Sequence, residues 1–245
     1  MNYTLSQLII MPLMFVAVLL TSLVLGKLLK NKPEKIRRIP VVVVTTFLLL
    51  FEVVKQMYNI VNNSWTTWAL PLHFCSALMI WYAIASYSKE GSFARELGYA
   101  TSFAGSLLMT ICFYFYPTGI FGNACDNPFA SFSTFHSFTF HFLAISIWML
   151  ILTLKLYTPS KKAIWGSVVA YSIYMGATIA LAYLFNTNYA NALYSNLSVL
   201  ENIRVTYGQV PYLLILAIFC LVSVWGILSI FRAIVNRKAK KVAKN

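Results

Sequence analysis

Charge is what this chain has least of: charged residues make up 10% of its 245 positions, and only 6 are acidic. Hydrophobic residues make up 60%. A soluble domain of this length could not hide so much apolar surface, so lipid must be the solvent for most of it. Paired cysteines are also missing. Cys75, Cys112, Cys125 and Cys220 lie far apart with no CxxC pair, and all but Cys125 fall within apolar runs. A disulfide scaffold or a zinc site is therefore not expected, and no cofactor or metal is implied. The N-terminus has no charged leader and no small-residue cleavage site, so the first apolar run reads as a retained span. A net charge of +13 would suit nucleic acid in a soluble protein. Here the basic residues sit in short gaps between apolar runs, the pattern of membrane orientation, and nucleic acid is set aside as a partner.

Seven apolar runs are each long enough to cross a bilayer as helix, which takes ~20 residues. They cover 6–29, 39–60, 68–88, 97–116, 132–157, 163–185 and 210–235. The expected fold is all-α, a polytopic bundle of seven transmembrane helices in one domain (1–235), followed by a basic tail (236–245). Two links are long. The segment 118–131 is dense in turn formers (Gly119, Gly122, Asn123, Asp126, Asn127, Pro128), and 186–209 carries Glu201 and Arg204. All but Lys55 and Arg204 of the 19 Lys and Arg lie near the first, third and fifth links or in the tail. The positive-inside rule then places the N-terminus outside and the C-terminus in the cytoplasm. Short links and the absence of a targeting segment point to a bacterial plasma membrane.

With that orientation, polar residues inside the runs fall in the outer half. The stretch LPLHFC at 70–75 is expected to form the opening turn of the third helix. At the helical rise, Glu52 lies roughly 12 Å and His73 roughly 8 Å below the outer ends of their runs. His136 and His141 lie at roughly 6 and 13 Å, and being about 140° apart they do not share a face. Each group has a plain structural reading. Glu52 and Lys55, three apart, could simply neutralise each other. His73 could bond a neighbouring carbonyl, Cys75 could be packing, and His136, nearer the surface, is the histidine expected to be structural. Together they suggest a polar pocket opening to the outer leaflet, because ionisable residues within spans usually serve a function.

Several short motifs carry a family resemblance. Glu52-x-x-Lys55, ALPLHFC at 69–75, a histidine in the fifth run, NTNY at 186–189 and YGQVPYLL at 207–214 occur in that order. With them the chain resembles the bacterial YwaF-like integral membrane family, whose distant vertebrate relative is an acyltransferase acting on ether phospholipids. The resemblance implies seven spans, acyl transfer, and phospholipids with an acyl donor as partners. It places the acyltransferase's catalytic cysteine, which follows a proline and precedes a histidine, at Leu72. The expected nucleophile is therefore absent there, and Cys75, three residues on, is the substitute on the same helix face. His141 matches the family histidine and is the candidate general base.

Two functions follow. In the first, a lipid-modifying enzyme, His141 or His73 activates Cys75, a lipid hydroxyl or water, and Glu52 orients a histidine. Asn188 or Gln209 then donates toward an oxyanion, with Lys55, Tyr189 and Arg204 completing a binding site. In the second, a transporter or ligand-binding protein, the same groups bind ligand or protons, and polar groups are needed in the inner half as well. Ser102, Ser106 and Ser172 are the few candidates there.

Overall fold

The computed structural model describes residues 5–117 and 127–242. Cys125, most of the turn-rich link 118–131 and the end of the tail lie outside the described residues. Among the described residues all regular structure is helical, without strands. In chain order the helices are α1 (Leu5–Leu29), the short α2 (Glu34–Arg37), α3 (Ile39–Val61), α4 (Phe74–Tyr87) and α5 (Phe93–Phe115). They continue with α6 (Phe132–Thr153), α7 (Lys161–Phe185), α8 (Ser198–Tyr207) and α9 (Gln209–Val242). Single 3₁₀ turns occupy Thr67–Ala69 and Tyr189–Asn191.

Six of these helices are long and apolar enough to cross a membrane. Their starts carry local signals. Pro40 sits in the first turn of α3, where its missing N–H leaves no helical bond unmade. Ser92 and Ser160 accept the backbone N–H three residues on, and Ser131 forms a capping box with Thr134. At the far end of α7, Asn186 takes the left-handed conformation that closes a helix.

The third apolar run departs from expectation. It was expected to be helical across 68–88, with LPLHFC as its first turn. Instead α4 begins only at Phe74 and has 14 residues. The cause is Pro71, which biases the residue before it away from the α region; Leu70 is extended, with ψ 143. His73 is also extended and is the N-cap of α4. Depths reckoned at a helical rise therefore do not apply to His73. Leu72 lies outside the helix and does not share a face with Cys75.

Helices α5 and α6 form the centre of the bundle. The first touches α4, α6, α7 and α9; the second touches α1, α3, α4 and α5. The outer helices turn apolar side chains outward, among them Leu13, Leu20, Leu50, Ile173 and Leu214. Water would not tolerate that surface; lipid would.

Between helices, buried hydroxyls pair with one another. Tyr82 Oη lies 2.7 Å from Ser106 Oγ, and Ser86 Oγ donates to Thr45 Oγ1 at 2.9 Å. Thr101 Oγ1 and Ser167 Oγ are 3.1 Å apart, and Tyr171 Oη donates to the Thr101 carbonyl at 3.0 Å. Such bonds, together with small residues at crossings, hold helices together where lipid removes the hydrophobic drive.

Gly98 marks the tightest crossing. A Cβ there would lie 2.5 Å from Ala85 N and 2.8 Å from Ala85 Cα, backbone atoms of α4 that cannot rotate away. Gly98→Val is expected to cost about 3 kcal/mol through forced separation of α4 and α5. Thermal unfolding in detergent would show this as a lowered midpoint. Gly176→Ala, with nothing within 4 Å of the added carbon, serves as the silent control.

Candidate functional site

Cys75 is the second residue of α4, immediately beyond the N-cap His73 and Phe74. The N–H groups of the first turn have no acceptor four residues back, and no side chain caps them. The thiol thus sits where unpaired amides and the positive end of the helix dipole converge. It is half-buried, at the margin of the main apolar core.

His141, on α6, is buried and lies near the Cys75 thiol. Its Nδ1 is 2.6 Å from the Ser137 carbonyl one turn back on α6. A carbonyl only accepts, so Nδ1 must carry the proton. In the neutral ring Nε2 is then the basic nitrogen, and it is shielded from solvent. The tautomer is set by an ordinary i−4 backbone carbonyl, and the apolar Phe140 ring lies 5.8 Å away.

Glu52 belongs to a different set of contacts. Its Oε1 is 2.6 Å from Lys55 Nζ and accepts from Gln56 Nε2 at 2.7 Å. Its Oε2 lies 3.8 Å from His136 Nε2. His136 stacks on Phe51 and Phe140, with centroids at 4.4 and 5.6 Å. Gln56 also donates to the Ala69 carbonyl at 2.6 Å and accepts from Trp65 Nε1 at 2.9 Å. Gln56, held by the carboxylate, therefore ties α3 to the loop leading into LPLHFC.

That loop is held from several sides. His73 Nε2 donates to the Trp68 carbonyl at 3.2 Å, and its ring packs against Trp68 and Tyr189. Tyr174 Oη donates to the Leu72 carbonyl at 3.0 Å, and Tyr189 Oη to that of Thr67. Leu72 itself packs in a small second cluster around Ala182, Tyr189 and Ala192. The effect is to fix the entrance of α4, and so the position of Cys75.

The remaining site residues predicted from sequence lie in the 186–209 segment. Asn188 Oδ1 accepts from the amides of Leu193 and Tyr194, and its Nδ2 donates to the Tyr194 carbonyl. Gln209 Nε2 donates to the Ala192 carbonyl at 2.7 Å. Arg204 forms a salt bridge with Glu201, which also accepts from the Ser195 amide at 2.9 Å. The Arg204 guanidinium and the Ser195 amide hold the Glu201 carboxyl down to about 2. In this structure these polar groups hold the loop and α8 in place.

The structure thus brings Cys75 and His141 together and gathers Glu52, Lys55 and His136 into a separate group. Gln56 and Ser137 were missed from sequence. Each stands four residues from a named site residue, and that spacing was the available signal. Among the described residues, no group of three or more His, Cys, Asp or Glu could hold a metal ion.

A family model described as TMEM164 family matches residues 2–229. The chain belongs to the TMEM164 family. That match spans the first five long helices and α4 and ends within α9, and it includes both Cys75 and His141. No curated protein and no solved structure matches the chain.

Proposed function

We propose that this TMEM164-family protein is a lipid acyltransferase using Cys75 as nucleophile and His141 as general base. The observation that carries the reading is the nearness of the two side chains at the uncapped start of α4, with the His141 proton held on Nδ1. His141 Nε2 takes the thiol proton, and the sulfur attacks the ester carbonyl of a phospholipid. Amides of the first turn face the oxyanion. The alkoxide leaves with the proton from the imidazolium, giving a lysophospholipid and a cysteine thioester. The hydroxyl of a second lipid then attacks the thioester. Its proton passes to His141 and on to the departing sulfur, restoring the thiol.

The likeness to YwaF-like proteins and to their distant ether-phospholipid acyltransferase relative supports the same chemistry. Of the inner-half hydroxyls, Ser106 pairs with Tyr82 and Ser172 bonds the Val168 carbonyl of its own helix, so these two are not free to line a transport path. In this reading the chain crosses the membrane seven times, N-terminus outside, in a bacterial plasma membrane. The 14-residue α4 spans about 21 Å, and the loop before it completes the crossing. Irregular backbone at that depth requires its carbonyls to be satisfied by protein. Gln56, Tyr174 and Tyr189 do this for Ala69, Leu72 and Thr67.

To test the reading, purified protein in nanodiscs is given a phospholipid with a labelled acyl chain and an unlabelled lysophospholipid. Label should appear in the acceptor and, transiently, as a hydroxylamine-sensitive adduct that mass spectrometry maps to Cys75. Transfer without an adduct, or no transfer with diacyl and ether-linked substrates alike, would overturn it.

A further inference from the structure

At the basic end of the bundle, α1 and the end of α6 enclose a cavity of about 250 Å³. Its formation starts with Gly26: a Cβ there would lie 2.9 Å from the Thr153 carbonyl oxygen, so only glycine lets α1 come this close to α6. Lys27 from the last turn of α1, Lys30 just beyond it, Arg37 from α2 and Lys155 beyond α6 contribute to the lining, and no carboxylate does. Arg37 Nη1 donates to the Leu154 and Lys155 carbonyls at 2.6 and 3.1 Å, which fixes the guanidinium against the end of α6. Those acceptors are neutral and leave its charge uncompensated. Glu34, the acidic residue of the same short helix, lies 3.5 Å from Arg95 instead. Lys155 has a left-handed backbone (φ 52), an uncommon state for a side-chain-bearing residue. Among the described residues, none of these four cations has an ion-pair partner.

We propose that this cavity is a binding site for the phosphate head group of an anionic phospholipid in the leaflet at the basic end. Four cations lining one cavity without a carboxylate favour an anion there, and basic pockets between helix ends are suited to anionic head groups. The apolar surface beside the cavity selects a lipid over a soluble anion. Leu20, Leu23, Val24 and Leu28 face outward along α1, so acyl chains attached to the bound phosphate can run down that helix. The site lies at the opposite end of the bundle from the Cys75–His141 pair and does not depend on the chemistry there.

Native mass spectrometry of the full-length protein in detergent, titrated with phosphatidylglycerol or phosphatidylcholine, tests this directly. Wild type should retain phosphatidylglycerol preferentially. Each single variant, Lys30→Gln or Lys155→Gln, should weaken retention about fivefold, and Lys27→Gln/Lys30→Gln/Lys155→Gln about a hundredfold. The triple variant Lys32→Gln/Lys35→Gln/Lys161→Gln removes as much charge at the same end without touching the cavity, and should have little effect. Equal loss in both triples would mean diffuse surface attraction and overturn the site. Inorganic phosphate displacing the lipid at equal concentration would overturn its assignment to a lipid.

Discussion

Cys75→Ser lowers acyl transfer by about a thousandfold or more, with substrate retention by the membrane-embedded protein little changed. A serine hydroxyl has nearly the shape of the thiol but is a far weaker nucleophile at neutral pH. The first-turn amides of α4 and the His141 ring remain in place, so the substitution isolates the sulfur's chemistry. His141→Gln should cost about 10²–10⁴-fold, the range for loss of a positioned base. The two losses should not multiply. If His141 acts only by moving the proton of Cys75, the double variant is about as slow as the slower single one. Initial rates of labelled-chain transfer measure this, with thermal midpoints confirming that each variant remains folded. A Cys75→Ser protein retaining a tenth of wild-type activity would remove the thiol from the mechanism. Multiplying losses would mean that the two residues act in separate steps.

Why that pair was only half legible in the sequence can be stated physically. Apolar run length is a local property, and the long helices begin and end within a few residues of their predicted bounds, except that α9 continues to Val242, through most of the expected basic tail. Which helices become neighbours is not local. Nothing in the spacing of residues 75 and 141 says that α4 and α6 touch, and Glu52 could equally have faced His141 rather than His136. LPLHFC is a different case. The signal is present in Pro71, whose effect on Leu70 argues for an extended approach to the helix, but the continuous apolar run around it masks that signal. The segment 198–207 was read as part of a link because it is short and carries Glu201 and Arg204. It forms α8, whose Val199, Val205 and Tyr207 remain exposed. The hydrogen bonds of Asn188 and Gln209 follow from backbone that the sequence describes only as a long link, so their loop-holding partners could not be foreseen.

Glu52→Ala should destabilise the bundle by about 3–5 kcal/mol, the cost of leaving a buried charge without its partner. Lys55 Nζ has the Glu52 carboxylate at 2.6 Å and lies at the same depth. Gln56 would also lose an acceptor, loosening a side chain that grips Ala69 and Trp65 and thereby the approach to α4. The loss should appear as a lowered unfolding midpoint in detergent, with acyl transfer falling because Cys75 is less well placed. Glu52→Leu/Lys55→Met separates charge from packing. With both ions gone no buried charge is stranded, so most of the lost stability should return, because replacing both ions of a buried pair by apolar residues is often neutral or better. An unchanged midpoint in Glu52→Ala would show that the carboxylate is not structural. Recovery of stability without recovery of transfer would assign Glu52 a part in the chemistry itself. Recovery of stability with partial recovery of transfer is the expected result, since Gln56 still lacks its Glu52 acceptor, while the carboxylate's own contacts are with Lys55, Gln56 and His136.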